Sequence, residues 1–391
     1  MGGDSNIRRC TRQLQIDYDI WCYIYEKLDS AIDQNLFALT CVTFRDIRNS
    51  SRKSLKLRCS TTTDFINSSI IDKLLSRHTQ LQTLTLGCVD YCCHIRDSCL
   101  TPLLKYGSTL HSLHLDGCAS VTVTGLILIA SACPLLSVIS LSLTSVSNPG
   151  LRILSKKCKS LKEVNLEYCT GVTDDGIFFL NQNCRQLRVL RISGCPNITG
   201  VGFRECSPTL ARLEAYNCNL DPRTGVSQIV SGGGLEYLIL GRTPPTYLTR
   251  PPVVLELIPL GGFCPKLKFL NIAWCSFSAA DDVIAKISRG CPLLQEWNLT
   301  GCNGIGIYGW ESIGLYCQNL EILHVADCKS LCDRGLLSIG AGCKRLSVII
   351  VDENQYGLDG VCHFRSQRGD VEIKTVGAWD PFGVGWEVLN V

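Results

Sequence analysis

The densest group of side chains with metal-binding chemistry lies between residues 88 and 99, where the sequence reads CVDYCCHIRDSC. Its four cysteines and His94 offer the thiolate and imidazole ligands that zinc prefers. A structural zinc site usually draws on two ligand pairs of similar spacing, and no second paired cluster accompanies this one. The sequence therefore favours an irregular turn without a metal, and we expect no metal or other cofactor.

A glycine-rich segment, Gly304 to Gly309, matches the G-x-G-x-x-G pattern of dinucleotide-binding turns. The same spacing of glycines occurs at Gly171 and Gly176, inside a pattern that recurs along the chain. A glycine that recurs with a structural repeat is more simply explained as a turn or packing residue. We therefore expect no nucleotide site here.

The remaining candidates for catalysis are the six histidines, which are scattered along the chain. His114 and His324 occupy equivalent positions of two distant copies of the recurring pattern, so they are not expected to meet. The sequence also lacks a P-loop, a nucleophile elbow and an HExxH motif. These observations predict a chain that is not an enzyme.

Composition narrows the class of protein further. The 391 residues include 25 cysteines, are 46% hydrophobic and carry a formal net charge of +3, which gives no electrostatic basis for binding nucleic acid or a membrane surface. Residues 1–13 lack the apolar core of a signal peptide. The uncharged stretch 117–151 is interrupted by Pro134 and by several glycines and serines, so we expect no membrane span. We therefore expect a protein of the cytoplasm, the nucleus or both, not a secreted one, with reduced cysteines.

A nine-residue frame recurs along most of the chain, with apolar residues at positions 1, 4 and 6 and cysteine at position 9. Positions 4 and 6 would share one face of a short strand, while positions 3, 5 and 7 would point the other way. Between the strands lie helical stretches such as 174–183. The clearest copies are LKEVNLEYC at 161–169, LRVLRISGC at 187–195, LQEWNLTGC at 294–302 and LEILHVADC at 320–328.

This frame resembles the cysteine-containing subfamily of leucine-rich repeats, over about 300 residues. The resemblance implies an α/β leucine-rich-repeat solenoid, a horseshoe with parallel strands on its concave face and helices on its convex face. Each unit leaves an apolar strand face uncovered until a neighbour stacks on it, so several copies are needed. A second cysteine recurs three residues before position 1, and we expect both sets of cysteines to fill the core as thiols rather than as disulfides.

Two segments depart from the repeats assigned to residues 54–355. The insertion 241–262 contains four prolines within its first twelve residues. It is either a neutral surface insertion or a loop that binds a partner. After Asn354 the period fails, and residues 356–391 are expected to cap the last repeat.

Residues 14–53 form a separate helical module behind the N-terminal tail 1–13. Its first helix carries an apolar stripe, a second helix is expected after a cap at Asp33, and a third holds Phe44 and Ile47. About forty residues cannot bury much apolar area alone, so the module needs a neighbour or a partner. The stripe consists of Ile20, Trp21, Ile24, Tyr25 and Leu28.

The order of features in this module resembles an F-box. An acidic turn, IDYD at 16–19, precedes a helix that ends near Leu28, and CVTFR follows at 41–45. The family commonly has Leu-Pro before the acidic residues and Trp in the place of Phe44, whereas this chain has Ile16 and no proline. An F-box joined to cysteine-type repeats resembles the F-box/leucine-rich-repeat proteins, including plant members.

The resemblance implies the substrate-recognition subunit of a Skp–cullin–F-box ubiquitin ligase, which itself makes no covalent bond. The module would bind the Skp adaptor and, through it, cullin, and the repeats would bind an unknown protein substrate and promote its ubiquitination and degradation. By resemblance, the adaptor-binding side chains are Ile16, Ile20, Trp21, Ile24 and Phe44.

The concave face, meaning the side chains at positions 3, 5 and 7, is the expected substrate-binding surface. Its middle repeats are expected to expose Tyr216, Tyr237, Ile239 and Phe269 beside the insertion, either as interface anchors or as residues that the insertion covers. The expected substrate-binding residues are Glu163, Glu167, Arg191, Arg212, Tyr216, Tyr237 and Phe269.

Two alternatives remain open at the level of sequence. The chain could be an interaction scaffold in which the degenerate F-box only caps the repeats. It could also be a small-molecule co-receptor with a pocket between the insertion and the concave face. A clustered basic set would favour an anionic ligand, and only Arg191 and Arg212 are evident there.

Overall fold

The computed structural model describes residues 21, 23–25, 27–28, 30–59, 66–88, 95–242, 254–352 and 358–376. Within these ranges thirteen parallel strands form one sheet, and each strand lies beside the next in sequence order. The fold is the α/β leucine-rich-repeat solenoid that the sequence predicts. The strands are β1 (Ser54–Cys59), β2 (Thr83–Cys88), β3 (Ser112–His114), β4 (Val138–Ser140), β5 (Glu163–Asn165), β6 (Val189–Arg191), β7 (Arg212–Glu214), β8 (Tyr237–Ile239), β9 (Phe269–Asn271), β10 (Glu296–Asn298), β11 (Ile322–His324), β12 (Val348–Asp352) and β13 (Glu372–Val376).

Helices connect successive strands, and helices of neighbouring repeats pack against one another. The helix predicted over 174–183 is confirmed, with Thr173 as its N-cap. None of the described helices is long and apolar enough to cross a membrane. The α-helices are Ala31–Thr40, Val42–Ser51, Ser68–Leu75, Leu103–Tyr106, Val123–Ala132, Asn148–Lys157, Asp174–Asn183, Gly225–Val230, Leu260–Phe263, Ala280–Gly290, Ile307–Tyr316, Asp333–Gly342 and Leu358–Gln367, and 3₁₀ turns cover Asp97–Leu100, Gly107–Thr109 and Val201–Phe203.

The core follows the nine-residue frame. In the repeat that contains β5, Val164 at position 4 and Leu166 at position 6 are both fully buried. The parallel register places Val164 beside Leu190 of the next strand, so each apolar side chain packs against its equivalent in the neighbouring repeat. Stacking of identical positions is what closes the apolar face that each unit leaves open.

The cysteines at position 9 are buried because each thiol has a partner in the preceding repeat. Cys195 Sγ donates to the carbonyl of Leu166 at 3.0 Å, and Cys169 Sγ donates to Leu141 at 3.0 Å. A small side chain with a weak S–H donor suits a buried turn where a carbonyl must be satisfied. The same bond recurs at Cys118, Cys218, Cys275, Cys302 and Cys328.

The second set of cysteines lies at helix C-termini. Cys184 ends the helix Asp174–Asn183, and burial raises the pKa of its thiol to about 12. A thiol with so high a pKa stays protonated and unreactive at neutral pH. Both sets are therefore core residues, as expected, and the described cysteines are free thiols.

Position 8 adopts a left-handed conformation in repeat after repeat, which the frame did not reveal. Gly194 and Gly301 have φ of +73° and +70°, while Tyr168 and Trp274 have φ of +57°. This conformation costs a residue with a side chain about 1 kcal/mol, so here it is held by the surrounding turn. The Tyr168 ring lies against Gly194 and the Trp274 ring against Gly301, so each of these two aromatic side chains packs on a glycine at position 8 of the next repeat.

The N-terminal module contains the helices Ala31–Thr40 and Val42–Ser51. The cap of the first of these is Ser30, whose hydroxyl accepts from the amides of Ile32 and Asp33, so the predicted cap at Asp33 is wrong. Asp33 instead lies in the first turn, where a carboxylate also favours the helix dipole. A hydrogen bond links the module to the repeats, between the Asn49 carbonyl and His78 Nδ1 at 2.7 Å.

The sheet continues past residue 355, where the sequence period fails. Helix Leu358–Gln367 leads into β13, which pairs in parallel register with β12. The Arg368 guanidinium donates to the carbonyls of Gly340, Cys343 and Leu346 and so ties this last unit to the preceding one. The expected boundary at 355 therefore falls before the final repeat-like unit. The aromatic residues of the expected cap, Trp379, Phe382 and Trp386, lie outside the described residues.

The insertion and the cysteine cluster fall largely outside the described residues. Residues 243–253, with the four prolines, are not described, and the chain resumes at Val254, which forms a bridge with Ser276. Residues 89–94 of the cysteine cluster are likewise not described. Among the residues that are described, no group of three or more metal-binding side chains occurs.

Candidate interaction surfaces

The concave face is ordered by the register of the sheet. Position 3 side chains of successive strands form one row and position 5 side chains a second row, because Glu163 pairs with Val189 and Asn165 with Arg191. Neighbouring strands lie about 4.8 Å apart, so side chains about 25 residues apart in sequence come into contact. The rows bring together five of the seven expected substrate-binding residues along β5 to β9, and Glu167 and Tyr216, both at position 7, follow β5 and β7.

Glu214 lies between Arg191 and Arg212, and these three residues form the charged centre of this face. The sequence did not single out Glu214. Its carboxylate accepts from Arg191 Nε at 3.1 Å and from Arg212 Nε at 2.7 Å, and its side chain is only 13% exposed. A carboxylate shared by two guanidinium groups fixes both arginines in place. Arg191 and Arg212 are therefore bound to the chain itself rather than free to receive an anion.

Beside this centre lies a depression of about 330 Å³, here called the acidic depression. Burial, with repulsion from Glu214 and Asp116, raises the pKa of Glu167 above its usual value. At the opposite wall the Ser140 hydroxyl donates to the Asp116 carboxylate. The acidic depression is lined by His114, Val138, Ile139, Ser140, Glu163, Asn165, Glu167, Arg191 and Glu214.

The aromatic stack, formed by Tyr237 and Phe269, follows on the next strands. The two rings are nearly parallel with centroids 4.0 Å apart, and the Arg212 guanidinium covers Tyr237 at 3.9 Å. Both rings are half-buried, and burial raises the pKa of Tyr237 to about 12. Arg212 therefore links the charged centre and the aromatic stack into one continuous surface.

The two other residues that were expected to be exposed beside the insertion, Ile239 and Tyr216, differ in their burial. Ile239 is only 8% exposed, so the expectation that it lies open to solvent is wrong. Tyr216 is half-buried at position 7, where its ring lies against Gly241 at the start of the insertion. Burial raises the pKa of Tyr216 to about 12, so its hydroxyl stays neutral at physiological pH.

The histidines and the glycine-rich segment serve the fold. His324 Nε2 lies 2.9 Å from Glu296 Oε1 of the adjacent strand, and His114 Nε2 lies 2.8 Å from the Ser112 hydroxyl, so the two histidines have separate partners. The amides of Gly306 and Gly309 donate to Asp281 Oδ1 of the preceding repeat, at 2.6 and 3.1 Å. The place that a phosphate would take is thus filled by the chain's own carboxylate.

Asp174 plays the same part in another repeat. Its carboxylate accepts from the amides of Thr199, Gly200 and Gly202 at 3.0 to 3.1 Å. An acidic residue in the first turn of one helix therefore satisfies the free amides at the start of the next. The interpretation of Gly304 and Gly309 as turn and packing residues agrees with this contact.

In the N-terminal module, aromatic rings from three helical segments pack together. Phe37 and Phe44 are stacked with centroids 4.1 Å apart, and the Trp21 ring lies 4.5 Å from that of Phe44. Trp21, Ile24 and Phe44 are half-buried, so the structure places these expected adaptor contacts at the module's own packing centre. Ile16 and Ile20 lie outside the described residues.

The module instead exposes a different set of apolar side chains, which the sequence did not single out. Ile32, Leu36 and Leu39 are 70%, 57% and 81% exposed and follow one side of the helix Ala31–Thr40. Val42, at the start of the next helix, is 61% exposed. We call these four residues the exposed helix face. The helical periodicity of residues 31–42 places apolar residues on two sides of the helix. Considering both sides as candidate surfaces could have identified this face.

Comparison with known proteins identifies the family. The chain is 43% identical over 305 residues to the F-box/LRR-repeat protein 12 of Arabidopsis thaliana, a match that covers 75% of this chain and 74% of the relative. The chain belongs to the F-box/LRR-repeat protein family. A leucine-rich-repeat family model also matches residues 157–180 and 316–340. These two matches contain the copies of the nine-residue frame at 161–169 and 320–328.

One further relative and one solved structure are also similar to this chain. An F-box/LRR-repeat protein 4 from Bos taurus is 25% identical over 169 residues, which cover 36% of this chain and 26% of that protein. Among solved structures, a chain of the yeast Rad7–Elc1 complex shares the fold with a TM-score of 0.53 and 16% identity, covering 91% of this chain and 94% of that one. The resemblance to F-box/LRR-repeat proteins that the sequence predicts is confirmed.

Proposed function

We propose that this F-box/LRR-repeat protein is the substrate-recognition subunit of a Skp–cullin–F-box ubiquitin ligase. Its N-terminal module binds the Skp adaptor, which connects it to cullin, and its concave face binds a protein substrate. The observation that carries the proposal is the exposed helix face on a small module fixed to a rigid solenoid. Membership of the family supports the same assignment.

The exposed helix face is suited to a protein partner rather than to solvent. Four large apolar side chains, each more than half exposed, lie within twelve residues of chain, whereas the repeats bury their apolar rows. Contiguous apolar surface on a folded protein marks an interaction site. Trp21, Phe37 and Phe44 pack behind this face and hold its helices in position. We therefore assign adaptor contact to the exposed helix face in addition to the residues that the resemblance implied.

The chemistry of such a subunit is proximity. Binding a substrate on the solenoid while the module is attached to the ligase raises the effective concentration of substrate lysines near the conjugating enzyme. Every strand of the described sheet pairs with its neighbours, so the concave face is one continuous binding surface. The chain contributes binding and orientation, and the other subunits supply the bond-forming groups.

The test is co-expression with a Skp adaptor, followed by size-exclusion chromatography of the full-length protein. We expect the wild type to elute as a stoichiometric complex and the variant Leu36→Asp/Leu39→Asp to elute free of adaptor. The matched control is Leu104→Asp/Leu315→Asp, which places the same charges at two exposed leucines of the repeats and should retain the adaptor. A folded wild type that ignores the adaptor would refute the proposal and leave the scaffold alternative.

The co-receptor alternative draws less support from the concave face. An anionic ligand would need free cationic groups, and Arg191 and Arg212 are both bound to Glu214. Displacing a carboxylate from two guanidinium groups opposes the binding of a second anion. The geometry therefore favours a protein substrate.

A further inference from the structure

The acidic depression carries more negative than positive charge. Its lining includes three carboxylates, Glu163, Glu167 and Glu214, and one guanidinium, Arg191. Arg212 adds a second positive charge, but it also binds Glu214. Among the described residues no ion pair joins Glu163 or Glu167 to a cation, so these two carboxylates are the surplus.

The surplus is held in a recess rather than spread over an open surface. Asn165 Oδ1 accepts from the Glu167 amide at 2.9 Å, which fixes the backbone at the wall of the depression. Burial and repulsion from Glu214 and Asp116 raise the pKa of Glu167, and Arg191, which is already bound to Glu214, offsets only part of this effect, so the ionised form is not fully compensated. A cationic group from a partner would supply the missing charge, whereas an anionic group would be repelled.

The aromatic stack offers the second half of the surface. Tyr237 and Phe269 present two half-buried rings on the same row as Glu163, three and four strands away. At about 4.8 Å per strand, Glu163 in the depression and Tyr237 in the stack lie roughly 15 Å apart. An extended chain of roughly four or five residues spans that distance.

We propose that the acidic depression and the aromatic stack together recognise an extended basic–apolar segment of a partner protein. A lysine or arginine side chain of the segment enters the depression, and an apolar or aromatic side chain roughly four or five residues away packs on Tyr237 and Phe269. The inference rests on the part of the proposed function in which the concave face binds the substrate, and it names the chemical class of that substrate's recognition segment.

The probe is a phage-displayed library of random twelve-residue peptides, selected on the full-length protein without adaptor. We expect enriched peptides to carry Lys or Arg at the stated spacing from Leu, Phe, Tyr or Trp. The variant Glu163→Gln/Glu167→Gln keeps the shape of both side chains and should bind the most enriched peptide at least about tenfold more weakly. Tyr237→Ala/Phe269→Ala should instead lose the preference for the apolar residue while retaining that for the basic one.

The matched control is Asp175→Asn/Asp282→Asn, which removes two carboxylates from exposed positions of the helices and should leave peptide binding unchanged. Enrichment of acidic peptides would overturn the inference, as would basic enrichment that survives in Glu163→Gln/Glu167→Gln. The inference would also be overturned if the wild type bound no library peptide more tightly than Glu163→Gln/Glu167→Gln does. Adaptor binding is measured separately. A wild type that binds the adaptor but selects other peptides refutes the inference alone, and one that selects basic peptides but ignores the adaptor refutes only the ligase assignment.

Discussion

In the repeats, Leu213 at position 4 is fully buried, whereas Leu39 of the N-terminal module is 81% exposed. Each repeat unit covers the apolar face of its neighbour, so burial is completed within the chain. The module has too few residues to cover its own apolar surface, and among its described residues only Tyr25, Ala38 and Ile47 are buried apolar side chains. The comparison indicates that apolar residues stabilise the fold in the repeats and remain available to a partner in the module.

The sharpest test of this comparison is the same substitution in both regions. Leu213→Ala leaves a cavity in a closely packed core and should lower the free energy of unfolding by about 2–5 kcal/mol. Leu39→Ala removes an exposed side chain and should change it by less than about 0.5 kcal/mol. Denaturant unfolding followed by circular dichroism measures both variants. A large loss of stability in Leu39→Ala would mean that the exposed helix face contributes to folding after all.

Gly194 tests how tightly the repeats are closed at their turns. Its φ of +73° disfavours any side chain, and a Cβ there would overlap the Tyr168 ring, so Gly194→Ala should cost about 1–3 kcal/mol. Gly262, with nothing near its Cβ position and an ordinary φ, is the control, and Gly262→Ala should be neutral or slightly stabilising. Thermal unfolding of the two variants compares them directly. Equal effects would contradict the packing account of position 8.

The joint between the two regions contains a titratable contact. His78 is 6% exposed, its Nδ1–H donates to the Asn49 carbonyl at 2.7 Å, and burial lowers its pKa below the ordinary 6.5. The folded state thus binds fewer protons than the unfolded state, so stability is present above pH 6.5 and falls as the pH drops below it. We expect His78→Gln to weaken this pH dependence when unfolding is measured between pH 7.5 and about pH 5. Identical pH profiles of the wild type and His78→Gln would mean that His78 does not cause the pH dependence of stability.

The smallest expected effect concerns an exposed ion pair, which is compared with the buried carboxylate of the concave face. Glu236 and Lys268 form a solvent-exposed ion pair at 2.9 Å, and Glu236→Gln should change stability by less than about 1 kcal/mol. Glu214 is largely buried between two arginines, so Glu214→Gln should destabilise the protein more than Glu236→Gln does. Denaturation midpoints of the two variants test this order. The reverse order would mean that Glu214 does not organise the concave face.

Some features of the fold could be predicted residue by residue. Apolar residues at positions 4 and 6 and cysteines at position 9 and before position 1 recur regularly, and the structure buries them as expected. The helix 174–183 was also identified correctly. The last repeat was missed because β13 contains no leucine and no cysteine follows it at position 9 of the frame.

The candidate surfaces were less predictable. Position 3 and 5 residues could be assigned to the concave face, yet the pairing of Arg191 and Arg212 with Glu214 depends on side-chain directions across two strands. The exposed helix face was missed because a helix with apolar residues on two sides does not reveal which side is packed. Trp21 and Phe44 illustrate this, since the structure packs them together while Leu36 and Leu39 lie open.

The sequence by itself determined the repeat, the burial of its apolar rows and the family, because a periodic pattern needs only local alternation and a neighbour of the same kind. Only the tertiary structure decided which side chains meet. Glu163, Arg191 and Glu214 are about 25 residues apart along the chain, and the parallel register of β5, β6 and β7 brings them into one depression. Register and packing arise from the whole stack of repeats, so no single repeat contains the information that specifies the surface.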